Sequence, residues 1–292
     1  MAGGPGKFFS SRSFWRGAVS IVVFLVLWEI GSRSKQWMAP AYFAPFKELL
    51  GAMGFKKDCP PWVGAVPAPS AVLQSWLTVL GDLSYWHSWY MSFLRVMSGF
   101  LAAMAIGIPF GLALAVSRSA YGVAFPVFEV LRPIPPLAWV PASIIFWPTQ
   151  ESAIAFITFL GAFYTIVINV LGGASSIDVR YFQAAQSMGS SRWDIFRRVI
   201  LPGTFPSIVV GSAVGMGITW EVVVAAEMIS GGGSQIGGTR GGGLGFFIWL
   251  SYVGGSYEQI VIGMISIGFA GFASSELLRW GGRYATPWLK TR

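Results

Sequence analysis

QAAQSMGSSRWDIFRRVILP, residues 183–202, departs from the sequence around it. Uncharged apolar runs lie on either side, at 152–173 and 205–220, yet this stretch is polar, basic and rich in residues that start and stop helices. Ser175 with Asp178, and Ser191 with Asp194, have the S-x-x-D spacing of a capping box, which satisfies amides left orphaned at a helix N-terminus. Gly189 suits a left-handed residue closing the first helix, and Pro202 is expected to stop the second. The prediction is two short helices joined at a sharp turn. On the first, Ile177, Tyr181, Ala184 and Met188 share one face, and Arg180, Gln183 and Ser187 another. The second carries Arg192, Arg197 and Arg198, with Ile195, Phe196 and Val199 for packing. Such a knob, facing water between two lipid-soluble segments, suits a socket in a soluble partner.

The rest of the chain takes lipid as its solvent. Of its 292 residues 54% are hydrophobic and only 11% charged, against roughly 25% charged in soluble domains. Apolar runs at 17–31, 96–116, 121–147, 152–173, 205–226 and 260–275 predict an all-α membrane protein with about six transmembrane helices. The organisation expected is an inner N-terminus over 1–16, a first span over 17–34, an outer segment over 35–89 with an amphipathic helix, and a five-helix core over 90–280. That core holds the polar loop 174–203 and a glycine-rich outer loop at 230–256, and residues 281–292 return inside. The first span follows Lys7, Arg12 and Arg16 as a secretory signal would, but without an Ala-x-Ala site after it, and is read as retained.

The net charge of +8 is a matter of orientation. With the N-terminus inside, twelve of the twenty basic residues fall on the inner side, including Arg118, Arg180, Arg192, Arg197, Arg198, Arg279 and Arg283. Six fall outside, and Arg95 and Arg132 lie within or at the edge of spans. That is the positive-inside bias, and it argues against a nucleic-acid ligand. A lone cysteine, Cys59, excludes an intramolecular disulfide and a cysteine-cluster metal site. A lone histidine, His87, sits in the aromatic run SYWHSWY and is read as interfacial.

Several features within the apolar segments bear on transport. Ser70 is expected to cap a surface helix whose apolar side holds Val72, Leu73, Trp76, Leu77, Val79 and Leu80. GIPFG (107–111) and GSAVGMG (211–217) space small residues for close helix packing, within a bundle or at a dimer seam. The third span contains Pro126, Pro133, Pro135, Pro136, Pro141 and Pro148. A helix so broken at membrane depth needs protein or a water-filled cavity around its freed backbone groups, and so points to a pathway. Glu129 and Arg132 lie there, three apart, as pathway groups or as a structural ion pair. In the fifth span Trp220 and Glu221 are pathway candidates, whereas Glu227 is read as a solvated interfacial carboxylate. SGGGSQIGGTRGGGLG (230–245) nearly fits a phosphate-binding loop but has glycine where lysine must reach the phosphates, and is read as a flexible loop.

Gln183-Ala184-Ala185, three residues, Gly189, nine residues, then Val199-x-Leu201-Pro202 resembles the EAA loop, E-A-A-x3-G-x9-I-x-L-P, of ABC importer permease subunits. LRVMSGF (94–100), LRPIPPLAWVP (131–141), LGAFYTIVINVLGGA (160–174) and TWEVVVAAEM (219–228) are similar to its nitrate, taurine and sulfonate branch, over residues 69–290. Gln183 replaces the motif glutamate, Val199 replaces its isoleucine, and Glu221 stands where an apolar residue is expected. The segment 38–66 and the glycine-rich loop look like insertions.

The resemblance implies a type I importer permease fold, in a bacterial inner membrane with both termini cytoplasmic. It implies cytoplasmic coupling helices in which Arg180, Gln183, Ala184, Ala185, Gly189, Arg192, Leu201 and Pro202 meet an ATP-binding subunit or anchor the following span. The candidate pathway residues, read from the spans themselves, are Glu129, Arg132, Pro135, Trp220 and Glu221. No cofactor or metal is expected in this chain and no catalytic residue; ATP and Mg belong to the partner ATPase. A second permease copy, a periplasmic binding protein and the bilayer complete the expected partners, and the solute expected is a small anion such as a sulfonate, taurine, nitrate or bicarbonate. An ion- or proton-coupled secondary transporter is the rival class; it uses Glu129, Arg132 and Glu221 but leaves the two-helix element without a task. An intramembrane enzyme lacks paired acids and histidines.

Overall fold

The computed structural model describes residues 12–33, 44–54, 66–230, 234–236 and 239–286. Cys59, most of the segment 38–66 and the basic residues at both extreme termini lie outside them. The chain divides into two compact units, Met1–Asp82 with Ser251–Ile262, and Leu83–Leu250 with Gly263–Arg292.

In the first unit, α1 (Arg12–Ser32) is an apolar helix long enough to cross a membrane, α2 spans Ala44–Ala52, and α3 spans Pro69–Val79. The helix expected at Ser70 exists, but Ser70 does not cap it. Ala68 is at the cap and Pro69, which has no amide hydrogen to orphan, takes the first turn. Ser70 instead donates its amide (3.2 Å) and its hydroxyl (2.9 Å) to Glu29 of α1. A carboxylate from another helix thus meets the exposed amides at the start of α3, where negative charge is favoured.

The second unit is a bundle of long helices. α4 (Leu83–Val116) runs for 34 residues, about 50 Å, and so outruns a hydrocarbon core of about 30 Å. It begins in the aromatic stretch that the sequence assigned to the outer segment. α5 (Arg118–Leu131) follows, then a 3₁₀ turn (Pro136–Trp139) and α6 (Val140–Phe146), bent from α5 by 87°. α7 spans Gln150–Ser175, α8 Val179–Ser187 and α9 Arg192–Ile195. A π turn over Phe196–Ile200 leads into α10 (Leu201–Ser230). β1 (Ser234–Ile236) and β2 (Thr239–Gly241) form an antiparallel ribbon, with Gln235 opposite Arg240. α11 spans Leu244–Val253 and α12 spans Tyr257–Ala285.

Helix α7 is the axis of packing, lying against α4 on one side and α10 on the other. Its neighbours must be small at the contacts. A Cβ on Gly111 would lie 2.9 Å from Val170, and one on Gly211 2.6 Å from Asn169. The small-residue motifs therefore serve packing within the bundle, the first of the two readings offered above. Pairing of 107 with 166 and 111 with 170 makes α4 and α7 parallel. The chain must consequently cross back between them, so the bent pair α5 and α6 acts as one broken span, as the prolines predicted. With it the described residues hold six candidate spans. Phe128 of α5 seats the break, packing among Phe110, Phe163 and Tyr164.

Two departures concern residues 230–256. The glycine-rich stretch contains the β ribbon rather than only irregular loop, because paired backbone groups satisfy one another where side chains are scarce. The stretch after it is the helix α11, whose 10 residues reach about 15 Å, half of a hydrocarbon core. That length is why hydropathy alone gave no span there.

Candidate coupling surface and translocation clefts

The polar stretch folds into two helices meeting at a turn. Asp178 caps α8 by accepting from the Arg180 amide at 2.9 Å. Ser175 does not take part, because α7 extends through it, and this capping box is corrected to a single aspartate. At the other end Gly189 has φ of 77°. Its amide reaches the Gln186 carbonyl (2.9 Å) and that of Ser190 the Ala185 carbonyl (3.0 Å), the double closure that a left-handed residue permits. Of the second predicted box the serine half is present: the Asp194 amide donates to the Ser191 hydroxyl at 3.1 Å, and that hydroxyl donates to the Asp194 carboxylate.

Pro202 does not stop the second helix. In the wide π turn the Leu201 amide reaches the Phe196 carbonyl, one residue beyond the ordinary helical partner, and the chain runs on helically from Arg192 into α10. Such a turn accommodates a proline at the start of the next helix, where its missing amide hydrogen costs little. The second helix and the long α10 are thereby one continuous rod.

The surface of this element is apolar where a lone protein would be polar. Tyr181, Met188 and Trp193 are 64%, 79% and 66% exposed. Ala184 is exposed and Ala185 buried, so only the first is available to a partner. Gln183, Gly189, Arg192 and Leu201 are exposed, and Pro202 is half-buried. Arg180 and Arg198 reach Asp178 (3.6 Å) and Asp194 (3.8 Å) with side chains mostly in the open, pairs that are loose and weak.

The pathway candidates divide between two clefts. Arg132 is hydrogen-bonded to Glu129 at 2.6 Å, both about half exposed, so the structural ion pair is present. Arg132 also lines a 280 Å³ cleft with Pro136, Tyr164, Thr165 and Ile218, next to the break whose 3₁₀ turn Pro135 caps. Trp220 and Glu221 line a different cleft, of 520 Å³, between α10 and α12. The two clefts share no lining residue, and the two sets are not brought together.

A third cluster was missed. Arg95, 4% exposed, gives Nε and Nη2 to the two oxygens of Glu151 (2.7 and 2.5 Å) and Nη1 to Glu227 (2.9 Å). Glu227 is wholly buried and also accepts from the Ser92 hydroxyl (2.8 Å) and the Gly245 amide (2.9 Å). The Leu244 amide donates to Ser92 at 2.8 Å. Glu227 is therefore not a solvated interfacial carboxylate; it ties α4 and α10 to the first turn of α11, while Glu151 brings in α7. The signal available in the sequence was the ionisable residue within a span, which applied to Arg95 and Glu227 as much as to Glu129.

Comparison with known proteins agrees with this geometry. Residues 107–291 match the family described as binding-protein-dependent transport system inner membrane component. The chain is 33% identical over 228 residues to the taurine transport system permease protein TauC of Escherichia coli, covering 76% of this chain and 80% of that one. It is 30% identical over 276 residues to the nitrate import permease protein NrtB of Synechocystis sp., covering 91% and 87%. Among solved structures, a bacterial ABC transporter involved in import of the polysaccharide alginate aligns with a TM-score of 0.57 at 15% identity, over 93% of this chain and 99% of that one. The MetNI methionine ABC transporter aligns with a TM-score of 0.51 at 22% identity, over 71% and 97%. These last two carry the fold alone. The secondary-transporter reading gives way to the importer. This chain belongs to the binding-protein-dependent transport system inner membrane component family, and it is a multi-pass permease subunit of an ABC importer.

Proposed function

We propose that α8 and α9 seat in a cytoplasmic ATP-binding subunit and pass its movements into the membrane through α10. The observation that carries this reading is the continuous helix from Arg192 into α10 beneath the exposed Tyr181, Met188 and Trp193. A push on Trp193 is transmitted along a rod rather than absorbed at a hinge. ATP and Mg are held by the ATPase, and this chain contributes no catalytic group. Two copies of the permease form the pathway, with both termini in the cytoplasm as the basic residues favour.

The solute arrives from a periplasmic binding protein and is a small one, with the anions handled by the nitrate and taurine relatives as the leading class. Glu129, Arg132 and Pro135 border one candidate passage, and Trp220 and Glu221 another. Arg132 supplies positive charge beside the first, partly offset by Glu129.

The test is ATP hydrolysis by the purified chain with its ATP-binding subunit, before and after Ala184→Trp and Gly189→Trp. Both variants are expected to insert in the membrane and to lose stimulated hydrolysis. Undiminished stimulation in both variants would remove the coupling role from this element.

A further inference from the structure

The 520 Å³ cleft between α10 and α12 has a mixed character that packing does not require. Its walls are apolar and aromatic, from Trp220, Ile248, Met264 and Phe272, and Glu221 is the acidic residue among them. Glu221 is exposed, and no described residue forms an ion pair or hydrogen bond with its carboxylate. Trp220 is 2% exposed, and its Nε1 is buried without an acceptor among the described residues. The bundle thus leaves one unpaired negative charge on this wall, with an orphaned donor buried behind it. Its interior ion pairs show the alternative, since Arg95 and Glu227 are fully partnered.

From this cleft we infer that the solute carries an alkylammonium group, which Glu221 receives beside the face of Phe272. A cation over an aromatic ring with one carboxylate beside it is matched in charge, and a lone carboxylate in a span is a functional group before it is a structural one. A metal ion is a poor occupant, because among the described residues no cluster of three or more ligating side chains exists. Gly268, where a side chain would meet nothing within 4 Å, keeps the cleft open. The inference rests on the pathway reading of Glu221 given above and narrows it: simple inorganic anions lack the group this cleft receives, whereas a sulfonate or related acid with a terminal ammonium has it.

The test reads Glu221 directly. The permease with its ATP-binding subunit is held in nanodiscs of phosphatidylglycerol, which has no amine, and modification of Glu221 by a hydrophobic carbodiimide is followed by peptide mass spectrometry. Probes are ethylammonium and a pair of short sulfonates of equal length with and without a terminal ammonium. The ammonium-bearing probes are expected to slow modification at least about threefold while the plain sulfonate does not, and Phe272→Ala should raise the probe concentration needed about fivefold. Phe272 is 69% exposed, so that variant is expected to fold. Equal protection by both sulfonates, or by none of the probes, overturns the inference. Protection arising without probe when phosphatidylethanolamine is added assigns the cleft to a lipid headgroup and overturns it too. Stimulated ATP hydrolysis in the same nanodiscs keeps the two readings apart, since intact coupling without ammonium protection removes only the solute assignment.

Discussion

Nη1 of Arg95 lies 2.9 Å from Oε1 of Glu227, and the two side chains are 4% and 0% exposed. Two opposite charges taken out of solvent need each other and need their remaining hydrogen-bonding groups filled. Both conditions hold: Arg95 spends its other two nitrogens on Glu151, and Glu227 takes Ser92 and the Gly245 amide. The pair fixes where α4, α10 and the start of α11 meet.

Removing one partner should therefore be far worse than removing both. Arg95→Met is expected to destabilise the purified chain by about 3–5 kcal/mol, because the Glu227 charge is left buried and unpaired. Glu227→Gln keeps an acceptor for Ser92 and should cost less. The double variant Arg95→Met with Glu227→Met should recover part of the loss, which a double-mutant cycle of thermal unfolding in nanodiscs measures. Additive losses, with no recovery, would show the pair to be uncoupled.

The same pair explains what the sequence did and did not disclose. The spans were legible because lipid demands long apolar helices, and the break at Pro133 to Pro136 because proline cannot continue a helix. The turn at Gly189 was legible because one left-handed residue between two capping signals has few other uses. Glu227 was misread because its place near the end of a span suggested water, and only the fold brings Arg95 and the Gly245 amide to it from distant parts of the chain. Pro202 was misread because the compensating π turn is set by backbone geometry rather than by any one residue type. The residues of the 183–202 stretch are close in sequence and stay together on α8, α9 and the start of α10, whereas the cleft residues are placed by packing and divide between two clefts.

Gly243 lies against the Glu227 carboxylate so closely that a Cβ there would collide with both oxygens. Gly243→Ala should displace the first turn of α11 or the carboxylate, and either movement strains a buried ion pair. A loss of about 2 kcal/mol or more is expected in thermal unfolding, in the range of overpacking at a site that cannot relax. Gly172→Ala is the matched control, since a Cβ there meets nothing within 4 Å and alanine is the better helix former. If the two variants unfold alike, the Gly243 contact is not a constraint on this end of the bundle.

Gly189 presents the opposite case, with open space but a φ of 77°. Alanine there pays about 1–2 kcal/mol of backbone strain, whereas asparagine tolerates the left-handed region better. Gly189→Ala is expected to reduce coupled ATP hydrolysis more than Gly189→Asn does, with little change in the amount of protein inserted in the membrane. Equal activity of the two variants would mean that the turn relaxes without moving α9.

The exposed apolar residues of the two-helix element permit the sharpest separation of folding from association. Tyr181 and Trp193 contribute little to the bundle, being 64% and 66% exposed, although Trp193 stacks on Phe196 at 5.4 Å. Aromatic side chains that a partner buries are commonly worth about 2 kcal/mol each, or roughly 30-fold in affinity. Tyr181→Ser and Trp193→Ser should accordingly leave thermal unfolding nearly unchanged and weaken association with the ATP-binding subunit by that order. Tyr284 is 79% exposed near the end of α12 and provides a control of similar chemistry on a different element. Tyr284→Ser should leave association as it is. The reverse pattern, with Tyr284 needed and Trp193 dispensable, would move the contact from α8 and α9 to the end of α12 and take the driving stroke away from the rod that begins at Arg192.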